Sequence, residues 1–234
     1  MKFKNQIETT AIEIAKFCGI KEGVEFISLG EICISAWYIQ EAGLRTGAYP
    51  FDWVFSSPEI IIDCINDNFK EFLDKSNMTG LGGAGHLKFH SRFFKHKNPI
   101  VFEDNYTYYQ RCCERFIEVI NSDQKIIYII NLMNDIPKDE SVCGWARGFR
   151  YNYEQPIEQD YNTYKKLINI LKDKNNNSKF IIIDPCQKEK RKITFKYENP
   201  HTIFIAYDHI GIKQKNYVDK SDDIYFKKLF SQIK

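Results

Sequence analysis

Four short apolar runs, residues 24–29, 125–132, 179–184 and 202–207, are separated by segments whose apolar residues recur at helical spacing. This alternation constrains the fold more than any other feature, because strands that follow helices in this way pair in parallel and bury both faces. Helical spacing is read over residues 5–17, with apolar positions at Ile7, Ala11, Ile12, Ile14, Ala15 and Phe17 and Gly19 as the stop, and over 31–42, stopped by Gly43. Ser57-Pro58-Glu59 places a cap, a proline and an acid at the start of a third helix running to about Leu73. Further helices are expected over 106–120, 160–171 and 224–233, and a loop over 77–99 with a short strand near Leu87–Phe89. The expected fold class is α/β, a mixed, mostly parallel sheet covered by helices.

Composition narrows the function classes. The chain has 234 residues, 43% hydrophobic and 27% charged, which suits one globular domain over 1–234. Its net charge of +2 supplies no field that demands a polyanion, so nucleic acid is not expected as a partner. Glu8 and Glu13 interrupt any apolar signal core, and no run reaches the length of a membrane span. A cytoplasmic protein without membrane association is expected. Seven cysteines, several inside apolar runs and none in a Cys-x-x-Cys pair, point away from a disulfide scaffold and from structural zinc. No metal and no cofactor is expected.

The strongest chemical candidate is Ser28-Leu29-Gly30-Glu31-Ile32-Cys33, a buried strand, a glycine turn and a thiol opening a helix. Helix-terminal N–H groups favour a thiolate, although Glu31 would oppose it unless turned to solvent. The alternative is a buried structural cysteine. A thiol nucleophile needs a base, and His86, His90 and His96 fall in one irregular stretch, with His201 and His209 further on. His86 and His90 have the spacing of helical metal ligands but lack the glutamate of the zinc-peptidase motif. His96 lies three residues before Pro99, which restricts the local backbone. Asp52, between Phe51 and Trp53, must find a partner if buried; a turn cap, a catalytic histidine and a pairing with Arg111 or Arg115 are all open. Gly80–Gly85 spells G-x-G-x-x-G outside a strand-to-helix context and reads as a flexible loop, and Lys188–Lys192 reads as a solvated one.

Several spaced motifs together resemble a papain-like cysteine peptidase family of unknown function found in bacteria and large DNA viruses. They are Ser28-Leu29-Gly30-x-x-Cys33, then Arg45, then Tyr49-Pro50-Phe51-Asp52-Trp53, then Asp67-x-Phe69-x-x-Phe72-Leu73. His96-Lys97-Asn98-Pro99 resembles the family's histidine loop with asparagine in place of aspartate, and residues 108–116 resemble its helix with paired arginines. The resemblance implies a papain-like hydrolase with Cys33 as nucleophile and His96 as base, Asp52 as a further site residue with Asp184 as its rival, and Trp53 and Arg111 contacting substrate. It implies a peptidase or isopeptidase working through an acyl-thioester, on a protein, peptide or acylated small-molecule substrate. Transfer of the acyl group to a sugar or amine is the second expectation. The third is a non-enzymatic binding module in which Trp145 and Arg147 join the Pro-Phe-Asp-Trp segment as a recognition surface.

Overall fold

The computed structural model describes residues 3–19, 23–80, 84–134, 153, 158–209 and 220–233. Seven strands are present among them: β1 (Glu25–Ser28), β2 (Met78–Thr79), β3 (Gly85–His86), β4 (Ile126–Asn131), β5 (Lys179–Gln187), β6 (Lys192–Asn199) and β7 (Thr202–His209). The helices are α1 (Phe3–Cys18), α2 (Ile34–Glu41), α3 (Pro58–Asn66), α4 (Lys70–Leu73), α5 (Glu103–Ile120), α6 (Tyr161–Lys174) and α7 (Lys220–Phe230). Five strands form one sheet in the order β1-β4-β5-β7-β6, parallel except for the last pair, and β2 and β3 make a separate antiparallel pair.

Every residue of β4 is buried, which is why its sequence, Ile-Ile-Tyr-Ile-Ile-Asn, is nearly continuous apolar rather than alternating. Alternate side chains enter two cores. Ile126, Tyr128 and Ile130 join Phe180 and Ile182 beneath α3, α5 and α6, whereas Ile127 and Ile129 join Ile181, Ile183 and Ile203 beneath α1, α2 and α7. Each fully buried side chain of this size contributes about 1.5–3 kcal/mol. Helices on both faces of a mostly parallel sheet are the expected α/β class.

Local differences from the sequence reading have identifiable causes. The helix expected from Glu31 begins only at Ile34, because the carbonyls of Gly30 and Glu31 are held by Ser56 Oγ (2.9 Å) and Ser56 N (3.0 Å). The helix expected over 58–73 breaks at Asn68 and Phe69, whose φ values are 54° and 60°. There the chain turns left-handed and drops the Phe69 ring among Phe51, Phe72 and Phe116. No strand forms at Leu87–Phe89; the short pairing uses Met78–Thr79 and Gly85–His86 instead. β6 was not foreseen at all. It is an antiparallel edge strand in which exposed Lys192, Thr194 and Lys196 alternate with buried Ile193 and half-buried Phe195, while Tyr197 is exposed.

Candidate active site

The site stands at the carboxyl end of β1, where ligands gather in open parallel sheets. Leu29 N donates to Ile129 O (3.0 Å), extending the β1–β4 ladder by one residue before the chain leaves the sheet at Gly30. Ser56 then grips the next two carbonyls, and Ser35 Oγ of α2 accepts from Asn131 N (3.0 Å), tying the helix to the end of β4. These contacts seat Cys33 at the N-cap of α2 with φ −62° and ψ −3°, its carbonyl accepting from Trp37 N (2.9 Å). The thiol is half-buried and lines a small pocket with Ile32, Trp53, Val54, Phe55, Lys95 and His96.

The opposite wall comes from two segments. In the first, Asp52 Oδ2 accepts from Tyr49 N (3.0 Å) and from Arg45 Nη2 (3.0 Å). Arg45 also donates to Gly47 O (3.0 Å), and Arg115 reaches over from α5 to Ala48 O (2.6 Å). The Arg45 guanidinium lies 5.7 Å from the Trp53 ring centroid, and Trp53 meets the His96 ring at 5.6 Å and 72°. Asp52 is thus linked to His96 through Arg45 and Trp53. In the second segment, Phe94 N donates to Ala84 O (2.8 Å), and Phe89, Phe93 and Phe94 are buried in the aromatic core. With those three rings fixed inward, the next two residues, Lys95 and His96, project at the rim.

Electrostatics follow from this packing. Burial pushes the Cys33 thiol up from its ordinary value, and the Lys95 charge works against that rise. Burial, then the Lys95 charge, lowers His96, so its imidazole is neutral at pH 7. Lys95 is pushed down to about 8, chiefly by lost hydration and opposed by Cys33. Both side chains reach solvent, so the neighbouring rings remove only part of their hydration shell. Asp52 is 4% exposed, and burial pushes it up to about 6 against the pull of Tyr49 N and Arg45.

The structure sorts the sequence candidates. Cys33, Trp53 and His96 share the pocket. His86 accepts from Lys88 N at Nδ1 (3.2 Å), so its Nε2 carries the proton and donates to Glu71 O (2.9 Å); the ring stacks on Phe89. His90 is fully buried, with Nδ1 accepting from Arg92 N (2.9 Å) and its ring against Phe55. Neither lines the pocket. Arg111 is exposed on α5 and is not among the lining residues; Arg115, one turn on, is the arginine that packs against Gly47 and Ala48, just before the Tyr49–Asp52 turn. Asp184 accepts from Asn134 Nδ2 (3.0 Å), within a polar network that includes Gln159. Glu31 does not face solvent: it is buried and accepts a hydrogen bond from Gln159 Nε2. Gly85 is packed rather than free, since a Cβ there would strike the Ser91 carbonyl. Cys143, Trp145 and Arg147 lie outside the described residues. Lys95 was missed because a lysine in a basic loop resembles any solvated side chain; its only sequence signal is its place between Phe94 and His96.

Of the described cysteines, Cys18, Cys64, Cys112 and Cys113 are buried, while Cys33 and Cys186 are half-buried. Burial pushes Cys112 up to about 11 and Cys18 to about 12. Iodoacetamide applied to the native protein is therefore expected to modify Cys33 and Cys186 and to spare the other four until unfolding. Timed alkylation with peptide mapping checks this, and early labelling of any of the four would contradict the packing.

Among the described residues no group of three or more histidine, cysteine or acidic side chains converges to hold a metal ion, and no helix is long and apolar enough to cross a membrane. No curated protein and no solved structure matches the chain. Residues 24–110, which carry the Cys33 turn, the Tyr49–Trp53 segment and the Lys95–His96 rim, match the model of a family described as "putative papain-like cysteine peptidase".

Proposed function

We propose that the chain is a thiol hydrolase that cleaves a peptide or isopeptide bond through an acyl-thioester on Cys33. The observation that carries this reading is that Cys33 and His96 line one pocket at the carboxyl end of β1, and that His96 is the one histidine of the five to do so. A neutral imidazole can take the thiol proton, and its depressed basicity makes it a ready donor afterwards. His96 accepts the proton from Cys33 Sγ, and the sulfur attacks the substrate carbonyl. Collapse of the tetrahedral adduct breaks the carbon–nitrogen bond, and the amine leaves with the proton held by His96. Water, deprotonated by His96, then attacks the thioester; the carboxylic acid departs and Cys33 regains its proton. Trp53, held between Arg45 and His96, forms the wall against which the substrate backbone lies and keeps the imidazole oriented.

The test is to incubate the protein with peptide and ubiquitin-like fluorogenic substrates, and separately with acetyl-coenzyme A, while following Cys33 acylation by intact mass. Turnover of a peptide or isopeptide substrate that disappears in Cys33→Ala is the expected result. Acylation from acetyl-coenzyme A that persists until a sugar or amine is added, with no peptide turnover, would replace hydrolysis by acyl transfer.

A further inference from the structure

The pocket around Cys33 is walled by Ile32, Trp53, Val54 and Phe55, so a thiolate formed there loses much of the water that would otherwise stabilise it. Two side chains at its rim bear or can acquire positive charge, Lys95 and His96. Resting on the thiol chemistry proposed above, we propose that Lys95 is the cation that stabilises the Cys33 thiolate, leaving His96 as the neutral proton acceptor. The two roles are then divided between adjacent residues instead of being combined in one imidazolium.

The backbone explains how Lys95 is aimed. Phe55 N donates to Phe93 O (3.1 Å), which fixes the histidine-bearing segment alongside the wall that faces Cys33. Lys95 crosses that wall with Nζ 5.5 Å from the Phe55 ring centroid, a cation–π contact that holds the stem while the head remains at the rim. The electrostatics agree in sign across all three residues. The Lys95 charge favours the Cys33 thiolate, Cys33 in turn favours the charged lysine, and Lys95 disfavours a second charge on His96. The remaining charged and titratable neighbours do not duplicate this role. Arg92 acts on Lys95 by lowering it, His90 is buried behind Phe55, Glu31 is hydrogen-bonded by Gln159, and Arg45 is paired with Asp52. During the reaction Lys95 keeps its protons throughout. The proton from Cys33 Sγ passes to His96, and the negative charge left on sulfur faces the ammonium.

The pH profile of Cys33 alkylation by iodoacetamide tests the assignment, measured between pH 6 and 10 on the wild type, Lys95→Met, Lys95→Arg and His96→Ala. Lys95→Met is expected to slow alkylation roughly tenfold at pH 6–7, where Lys95 is charged, and to converge on the wild-type rate above about pH 8, where Lys95 loses its proton. Lys95→Arg should restore the wild-type rates below about pH 8, where Lys95 is charged, and exceed them above it, since arginine keeps its charge. The rate with anionic iodoacetate relative to neutral iodoacetamide should fall in Lys95→Met for the same reason, and a purely structural lysine would not move that ratio. A Lys95→Met profile superimposed on the wild type, with His96→Ala alone displaced, would assign the charge to His96 and overturn the proposal while leaving Cys33 as the nucleophile. Failure of Cys33 to alkylate in every protein would defeat the thiol chemistry and the part of Lys95 in it together.

Discussion

Gly30→Ala is expected to lower the melting temperature by roughly 5–15 °C and to disable Cys33 with it. A Cβ at residue 30 would overlap Ser35 Oγ and come within 3.4 Å of both Asn131 N and Ile32 O. Ser35 cannot turn aside freely, because its hydroxyl is the acceptor for Asn131 N (3.0 Å) at the buried end of β4. Rotation would leave that N–H without its partner, at about 1–3 kcal/mol, and crowding adds about 1–3 kcal/mol more. The alternative is for the turn to move, which pulls the Gly30 carbonyl from Ser56 Oγ and shifts the N-cap on which Cys33 sits. Urea unfolding of Gly30→Ala, Ser35→Ala and the double variant checks the cause. If the hydroxyl is the obstacle, the double variant is less destabilised than the sum of the two singles. Strict additivity, or a neutral Gly30→Ala, would contradict the close approach.

Asp52→Asn is expected to change stability in a pH-dependent way, by about 3 kcal/mol between neutral and acid conditions. In the folded protein the Asp52 carboxyl is pushed up to about 6 from an ordinary 3.8, burial outweighing Tyr49 N and Arg45. The folded state therefore takes up a proton as pH falls through 6, while the unfolded chain does so only near 4. On this group alone, the wild type gains stability as pH falls from 7 towards 4 and is penalised by about 3 kcal/mol at pH 7. Asparagine does not titrate and keeps an oxygen that can accept from Tyr49 N and Arg45. Asp52→Asn should thus compare best with the wild type at pH 7 and lose about 1.3 kcal/mol of that relative stability by pH 5. Urea midpoints at both values measure it, and a difference independent of pH would show that Asp52 does not titrate in this window. Cys33 alkylation in the same variant reports separately on the path from Asp52 through Arg45 and Trp53 to His96.

Local periodicity carried most of the fold. Residues 126–131 can only be a doubly buried strand, since no amphipathic helix or half-exposed strand accommodates five consecutive large apolar residues. The Ser57 cap with Pro58 placed the start of α3, where Ser57 Oγ accepts from Ile60 N (3.2 Å). β6 escaped because an edge strand meets the core on one side only and spends its other positions on charge, as a loop does.

The candidate site divides along the same line. By itself the sequence determined that a thiol follows a strand and a glycine at the start of a helix, and that an aromatic turn and a histidine-rich segment come next, because each is a pattern among near neighbours. Local pattern alone could not choose among His86, His90 and His96; only the resemblance of the His96–Pro99 loop favoured His96. The three differ only in which side the surrounding phenylalanines bury, and that depends on Phe72 and Tyr109 elsewhere in the chain. Nor could it pair Asp52 with Arg45 in preference to Arg111 or Arg115, since that requires the turn to close and α5 to dock beside it. Lys95 became visible only when the wall at Phe55 brought it to the rim opposite Cys33. Hydrophobic spacing is written residue by residue along the chain, whereas the partner of a charge is set by distances in space that only packing of the aromatic core decides.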